Sequence, residues 1–483
     1  MSAPNIETIV SLSKRRGFVF PASDIYGGLG SSWDYGQLGV ELANNIKRSW
    51  WNWLVYERDD IEGLDSSIIQ NRLVWKYSGH EDTFSDPMVD CRACKSRFRE
   101  DKLIEEVASP EQLGIIAHQP KPFSPLQWMG TKCPTCGETN WTDSRPFNLM
   151  FRTTVGAVST DDDPTALAYL RPETAQGIFI NFKNVLDTSR RKLPFGIAQI
   201  GKAFRNEVTP GNFIFRTREF EQMELEYFCR EEDAAAVFDS LLDDYQRWLE
   251  GLGISQDNFY RYEVPKKDLA HYSVRTVDLM YRFFPERKET GGNEWDEIMG
   301  IANRTDFDLK SHSKKPENVD GKRINSDSTE DLSYFDPQTN ERFYPHVIEP
   351  SVGVNRTLLA VMMDAYTEKK SDKGEVRVIL KLKPNLAPIK VAVLPLAKNN
   401  EGIVSLAKKL KHDLQPTMRT VYDDTGGIGK LYARQDEIGT PFCITVDHES
   451  LEDNAVTVRD RDTWEQERIA VDALKEYLQK RLQ

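Results

Sequence analysis

Residues 216–228, RTREFEQMELEYF, set arginine, aromatic and carboxylate side chains at alternating positions. On a strand, Arg216, Arg218, Phe220, Gln222, Glu224 and Glu226 share one face. A solvated sheet face accounts for the charges but not for Phe220 among them. An aromatic ring flanked by arginines suits stacking on a nucleotide base, with the cations on its phosphates. The run 197–206, IAQIGKAFRN, has strand character, and Pro210-Gly211-Asn212 supplies a turn, so 197–228 reads as a hairpin.

Two further segments match it in character. In 346–357, HVIEPSVGVNRT, Glu349 and Ser351 share a strand face and Gly353 allows a tight entry into a helix. Arg356 falls in that helix's first turn, where the N-terminus favours anions. In 170–177, LRPETAQG, Glu173 lies between Arg171 and Thr174. Cys91-Arg-Ala-Cys94 and Cys133-Pro-Thr-Cys136 are two CxxC pairs that fit a tetrahedral four-cysteine zinc site. Cys229 and Cys443 are isolated and expected to be buried. His80, His271 and His346 show neither ligand nor triad spacing and read as structural.

These groups need elements to position them. Residues 36–57 form an amphipathic helical pattern with Leu38, Leu42, Ile46 and Trp50 on one stripe; periodicity leaves core packing and a subunit interface both open. Residues 60–150 are irregular, 229–250 look helical, 254–335 are mixed and polar, and strand then helix recur at 346–366. A Lys-rich stretch with Pro384 and Pro388 marks a boundary near residue 385. Beyond it, strands at 389–394 and 441–446 alternate with helices at 402–414 and 463–482, a small α/β domain. The 483 residues are 39% hydrophobic and 29% charged, enough for two or three domains with real cores. A net charge of −13 argues against a general nucleic-acid coat, though not against a local basic surface. The N-terminus lacks an apolar signal core and no run approaches a membrane span, so a cytoplasmic, reducing setting is expected.

The segments, in this order, resemble the class II aminoacyl-tRNA synthetases, specifically the glycyl-tRNA synthetases of the bacterial homodimeric type. FRNEVTPGNFIFRTREFEQMELE is similar to motif 2 and VIEPSVGVNR to motif 3. DYGQLGVELANNIKRSWW is similar to the motif 1 helix, which in the family lies at the dimer interface. YLRPETAQGIF and EIMGIANRTDFDL match the remaining signatures, and the resemblance runs from about residue 5 to the C-terminus. It implies an α/β fold: an α+β catalytic domain over 1–384, its antiparallel sheet flanked by helices, and a smaller α/β anticodon-binding domain over 385–483. Insertions are expected at about 85–145, carrying the zinc knuckle, and at about 229–335. DDTGGIGKLYARQDEIGTP and VTVRDRD carry the C-terminal match; there Lys430 and Arg434, spaced i, i+4, can meet phosphates on one helix face.

The resemblance also implies roles. The enzyme joins glycine to ATP, with Mg2+, and hands the glycyl group to tRNA(Gly), as a cytoplasmic homodimer with no membrane part. Arg205 holds the α-phosphate, with Glu207 beside it, and Arg356 covers adenine and reaches the γ-phosphate. Phe220 stacks on adenine, Arg216 and Arg218 lie near the nucleotide, and Glu297 contacts ATP through Mg2+. Asn206, Phe215, Thr217, Glu219, Ile298, Gly353, Val354 and Asn355 complete the expected ATP site. Glu173, Glu224, Glu349 and Ser351 form the expected glycine pocket, with Phe220, Glu221, Gln222, Met223, Pro350, Val352 and Gly353. Arg99 and Arg304 are placed near that substrate. The zinc on Cys91, Cys94, Cys133 and Cys136 is structural, pinning the loop 95–132. A filled pocket that grips only ammonium and carboxylate excludes alanine by overpacking.

Overall fold

A computed structural model describes residues 2–117, 124–156, 166–208, 211–314, 325–370, 374 and 376–482. Its centre is a seven-stranded sheet. The strands are β1 (Ile61–Gly63), β2 (Phe195–Phe204), β3 (Glu219–Cys229), β4 (Phe259–Glu263), β5 (Arg275–Tyr281), β6 (Asp296–Thr305) and β7 (His346–Gly353). Their order is β4-β5-β6-β7-β3-β2-β1, antiparallel throughout except for the β1–β2 pair.

One face of the sheet is covered by helices α1 (Gly39–Trp51), α2 (Ala234–Gly251) and α3 (Val354–Ala365). Leu38, Leu42, Ile46 and Trp50 are all buried in that core, so the helical stripe is spent on packing within the chain. The strand residues facing it include Met223, Leu225 and Val352. The opposite face carries a second apolar cluster, with Phe179, Phe182, Ile197 and Phe228, and beside it the open cleft described below.

Two expectations change here. The stretch 229–335 is no insertion: it supplies the helix α2 and three strands of the central sheet. Its polarity comes from the edge position of β4, whose Tyr260–Glu263 side chains are exposed. The hairpin's second strand begins at Glu219, not Arg216, and a 3-10 turn at Phe213–Phe215 precedes it. Pro210, the first residue of the expected turn, lies outside the described residues.

The C-terminal sheet has β8 (Val391–Pro395), β9 (Thr420–Tyr422), β10 (Phe442–Val446), β11 (Ala455–Asp460) and β12 (Gln466–Ala470), in the order β9-β8-β10-β11-β12. β8 runs parallel to both neighbours, and β10–β11 and β11–β12 are antiparallel. Lys430 and Arg434 lie on helix α4 (Ile428–Ile438), and Arg434 is held by Asp423 at 3.1 Å. Among the described residues no helix is long and apolar enough to cross a membrane.

Candidate active site

The cleft opens over β3, β6 and β7, and two adjoining cavities share Arg205, Gln222, Glu297 and Ser351 in their walls. The first is the arginine-rich half. Phe220, Arg216, Thr217, Phe215 and Ile298 line it with Gly353, Asn355 and Arg356. Arg205 follows β2; its Nε donates to the Pro172 carbonyl at 3.0 Å, and its guanidinium lies 5.3 Å from the ring centroids of both Phe220 and Phe84. Arg356, in the first turn of α3, donates from Nη1 to the Glu297 carbonyl at 2.6 Å and to its carboxylate at 3.2 Å. Its Nε reaches the Phe215 carbonyl at 3.3 Å, with the guanidinium 4.4 Å from that ring's centroid. Glu207 lies in the same wall. Gly353 is extended (φ −80°), so it serves no tight backbone entry; a Cβ there would meet only Arg356, at 4.0 Å, and would stand in the cleft.

The second cavity is acidic. Glu173, Glu224, Glu349 and Ser351 line it with Tyr272 and Arg304. Arg304, 1% exposed, donates from Nε and Nη2 to Asp308 at 2.7 and 2.9 Å, and from Nη1 to both Glu349 oxygens at 2.9 Å. Burial works against its charge, and Asp308 and Glu349 more than restore it. Glu224 accepts from the Thr174 hydroxyl and, at 3.4 Å, from the Gln222 amide. Burial first, then Glu173, pushes its pKa upward. Glu173 accepts from Gln176 Nε2 at 3.0 Å and lies 3.3 Å from His80 Nε2. Burial opposes its ionisation, but His80 and Arg304 win and lower its pKa. Carboxylates therefore outnumber the two arginines of this cavity, Arg205 and Arg304, and Arg304 is already divided between Glu349 and Asp308. Such a cavity attracts a small cation.

Glycine places part of this wall. Arg171, 1% exposed, crosses under β2, donating to the Lys202 carbonyl at 2.6 Å and the Ser66 carbonyl at 2.8 Å. A Cβ at Gly201 would lie 2.2 Å from Arg171 Nη2. Only glycine lets that arginine pass, and the arginine anchors the segment that delivers Glu173 and Thr174.

Residues 158–365 match the family model for the tRNA synthetase class II core domain (G, H, P, S and T), and residues 390–481 match the anticodon binding domain. The chain is 52% identical to the glycine–tRNA ligase of Thermobifida fusca, over 99% of this chain and 98% of that one. It is 49% identical to the glycine–tRNA ligase of Thermus thermophilus over all of both chains. The Streptomyces coelicolor enzyme of the same name is 50% identical, over 100% of this chain and 99% of its own. The chain belongs to the glycine–tRNA ligase family.

In glycine–tRNA ligase terms, the hairpin, the β7–α3 unit and the 170–177 segment meet at one cleft, but several expected residues do not face it. Glu221, Met223, Pro350 and Val352 alternate with the cleft-facing residues of β3 and β7 and so point the other way. Glu221 pairs with Lys47 of α1 at 2.9 Å, and Met223, Val352 and Val354 are buried in the helical core. Arg218 precedes the strand and donates to the Gly30 carbonyl, while Glu219 pairs with Lys202 on the exposed edge. Asn206 is held by its backbone at the Leu149 carbonyl, 2.7 Å away, outside the cleft wall. Arg99 lines neither cavity; it pairs with Asp101 at 2.6 Å and Asp86 at 3.1 Å, on the side where Glu207 lies.

Sequence reasoning also missed residues. His80 lines neither cavity but lies behind the second one, in contact with Glu173. His271 and His346 also lie outside the cavity walls. Thr174, Gln176 and Asp308 stood inside the signature stretches already quoted, and their hydroxyl, amide and carboxyl groups were the available signal. His80 and Tyr272 carried no such signal.

The four cysteines converge as expected of a tetrahedral thiolate site. Cys91 and Cys136 sulfurs are 3.6 Å apart, Cys94 and Cys133 sulfurs 3.7 Å, and all four lie within 4.8 Å of one another. Four thiolates around zinc at 2.3 Å give tetrahedral edges of ~3.8 Å, so the geometry fits. The site is backed by Val89, Leu103, Leu126 and Trp141 and flanked by the short strands Ser85–Asp90, Arg97–Arg99 and Arg145–Asn148. Cys229 and Cys443 are buried and isolated.

Proposed function

We propose that the protein activates glycine with ATP, releasing pyrophosphate, and transfers the glycyl group to the terminal adenosine of tRNA(Gly). The observation that carries this reading is the continuity of the two cavities. An arginine-lined nucleotide cleft opens directly into a carboxylate-rich cavity whose Glu224, Arg304 and Glu349 are buried.

Phe220 and Arg356 take the two faces of adenine, and Arg356 reaches on to the γ-phosphate. Arg205 holds the α-phosphate and neutralises charge as the glycine carboxylate attacks phosphorus and pyrophosphate leaves. Glu224 accepts the ammonium, with Ser351 and Gln222 beside it; Glu173 and Glu349 complete the pocket. No covalent protein intermediate is needed: the chain positions two substrates and fixes their charges. Glu297 and Asp278 are the residues that would hold Mg2+, whose role when bound is to neutralise phosphate charge. They suit a cation, since burial and then Glu297 push Asp278 up to about 7.

The four-cysteine site is read as a structural zinc centre, the boundary near residue 385 as the division between catalytic and anticodon-binding domains, and the working form as a cytoplasmic homodimer. For the tRNA, the C-terminal domain offers Lys430 and Arg434 to phosphates. Charging of tRNA with labelled glycine tests the whole reading. Glycine should be the amino acid accepted from a panel that includes alanine, proline, threonine, histidine and serine. Preferential charging with any of the others would overturn the assignment.

A further inference from the structure

Glu226 follows Glu224 on the cleft face of β3 but lines neither cavity. It is 0% exposed, and among the described residues neither of its carboxylate oxygens has a hydrogen-bond donor. One of its oxygens nevertheless lies within 4.8 Å of an oxygen of Glu224 and of one of Glu349. Those two neighbours are provided for: Glu349 accepts twice from Arg304 at 2.9 Å, and Glu224 accepts from Thr174 and Gln222. An ionised carboxylate with no donor and two acidic neighbours in the interior is untenable; it must hold a proton.

We propose that Glu226 is a positioning residue of the amino-acid pocket, carrying a proton between the carboxylates of Glu224 and Glu349, so that those two and not Glu226 supply the negative charge that meets the substrate ammonium. The proposal rests on the glycine site described above. The groups that face Glu226 are Glu224 on its own strand, Glu349 on β7, Arg304 on β6 and Asp308 on the helix Phe307–His312. Burial, and after it Glu349, drives its pKa well above the carboxyl range against the pull of Arg304. Arg304 holds Glu349 through two hydrogen bonds, and a neutral Glu226 adds no repulsion beside it. A neutral Glu226 also spares the pocket one negative charge that would otherwise repel the glycine carboxylate on its way to Arg205.

Two variants separate a proton-holding role from space-filling. Glu226→Gln keeps the shape and a donor; Glu226→Leu keeps only bulk. In pyrophosphate exchange, Glu226→Leu should raise the KM for glycine on the order of tenfold with the KM for ATP unmoved, and Glu226→Gln should rescue it. The infrared difference spectrum between wild type and Glu226→Gln should contain the carbonyl band of a protonated carboxyl. Absence of the band, or a glycine KM raised as far in Glu226→Gln as in Glu226→Leu, overturns the proposal. A wild type without glycine-dependent exchange would instead defeat the substrate reading, and the infrared band would still report the state of Glu226.

Discussion

Arg304 has no charge to spare for a substrate, because Asp308 and Glu349 divide its guanidinium between them. A substrate carboxylate must look to Arg205, which stands in the walls of both cavities. Arg205→Ala is therefore expected to slow activation on the order of a hundredfold or more, as loss of a preorganised charge contact does. Pre-steady-state formation of the adenylate measures it, and a change under threefold would remove Arg205 from the reacting phosphate. Phe220 and Arg356 were legible because each is an unusual residue for its element, a ring among charges on a strand face and a cation in a helix's first turn, whereas Arg205 was legible only through the resemblance to motif 2. His80 was not legible. Its partner Glu173 is far away in sequence, and the packing of His80 against Trp75 and Phe84, with ring centroids 5.3 Å away in each case, and the 2.8 Å contact of its Nδ1 with the Ser78 hydroxyl bring it there.

At the scale of elements, alternation assigned Phe220, Gln222 and Glu224 to the cleft and failed at Arg218, because β3 starts at Glu219 and the period of two holds only inside a strand. It also assigned Glu221 and Met223 to the reverse face, so including them in the pocket conflicted with the strand's own geometry. The polar stretch that reads as an insertion is the solvent edge of the sheet; composition reports exposure, not membership. Positioning by β2 makes a sharp prediction. Gly201→Ala puts a methyl against Arg171 and Thr174, at 2.2 and 3.2 Å. It should cost about 1–3 kcal/mol of stability through overpacking and raise the KM for glycine more than that for ATP. Thermal melting and exchange kinetics check both; an unperturbed variant would mean that the 170–177 segment is not anchored through Arg171. The cysteine cluster makes another. Purified protein should contain one zinc per chain, and Cys133→Ser should lose it and melt at a lower temperature. Zinc-free wild-type protein with the same melting curve would contradict a structural metal.

The whole molecule joins two sheets on either side of the boundary that the prolines suggest near residue 385, and it joins them tightly. Leu380, Leu386 and Ile389 belong to the catalytic core, Asn45 of α1 donates to the Leu386 carbonyl at 3.0 Å, and Arg15 and Arg16 both pair with Glu437. Such contacts depend on residues hundreds of positions apart and leave no local pattern to read. The division of labour between the sheets predicts that Lys430→Glu raises the KM for tRNA in the charging reaction and leaves glycine-dependent exchange unchanged; loss of both together would place Lys430 in the fold and not at the RNA. The central claim is narrower: the cavity beside the nucleotide cleft binds glycine through its ammonium at Glu224. Glycine-dependent pyrophosphate exchange by Glu224→Ala tests it most directly. Near-abolition of exchange in a variant that melts as the wild type does is the predicted result, and unchanged exchange kinetics would contradict it.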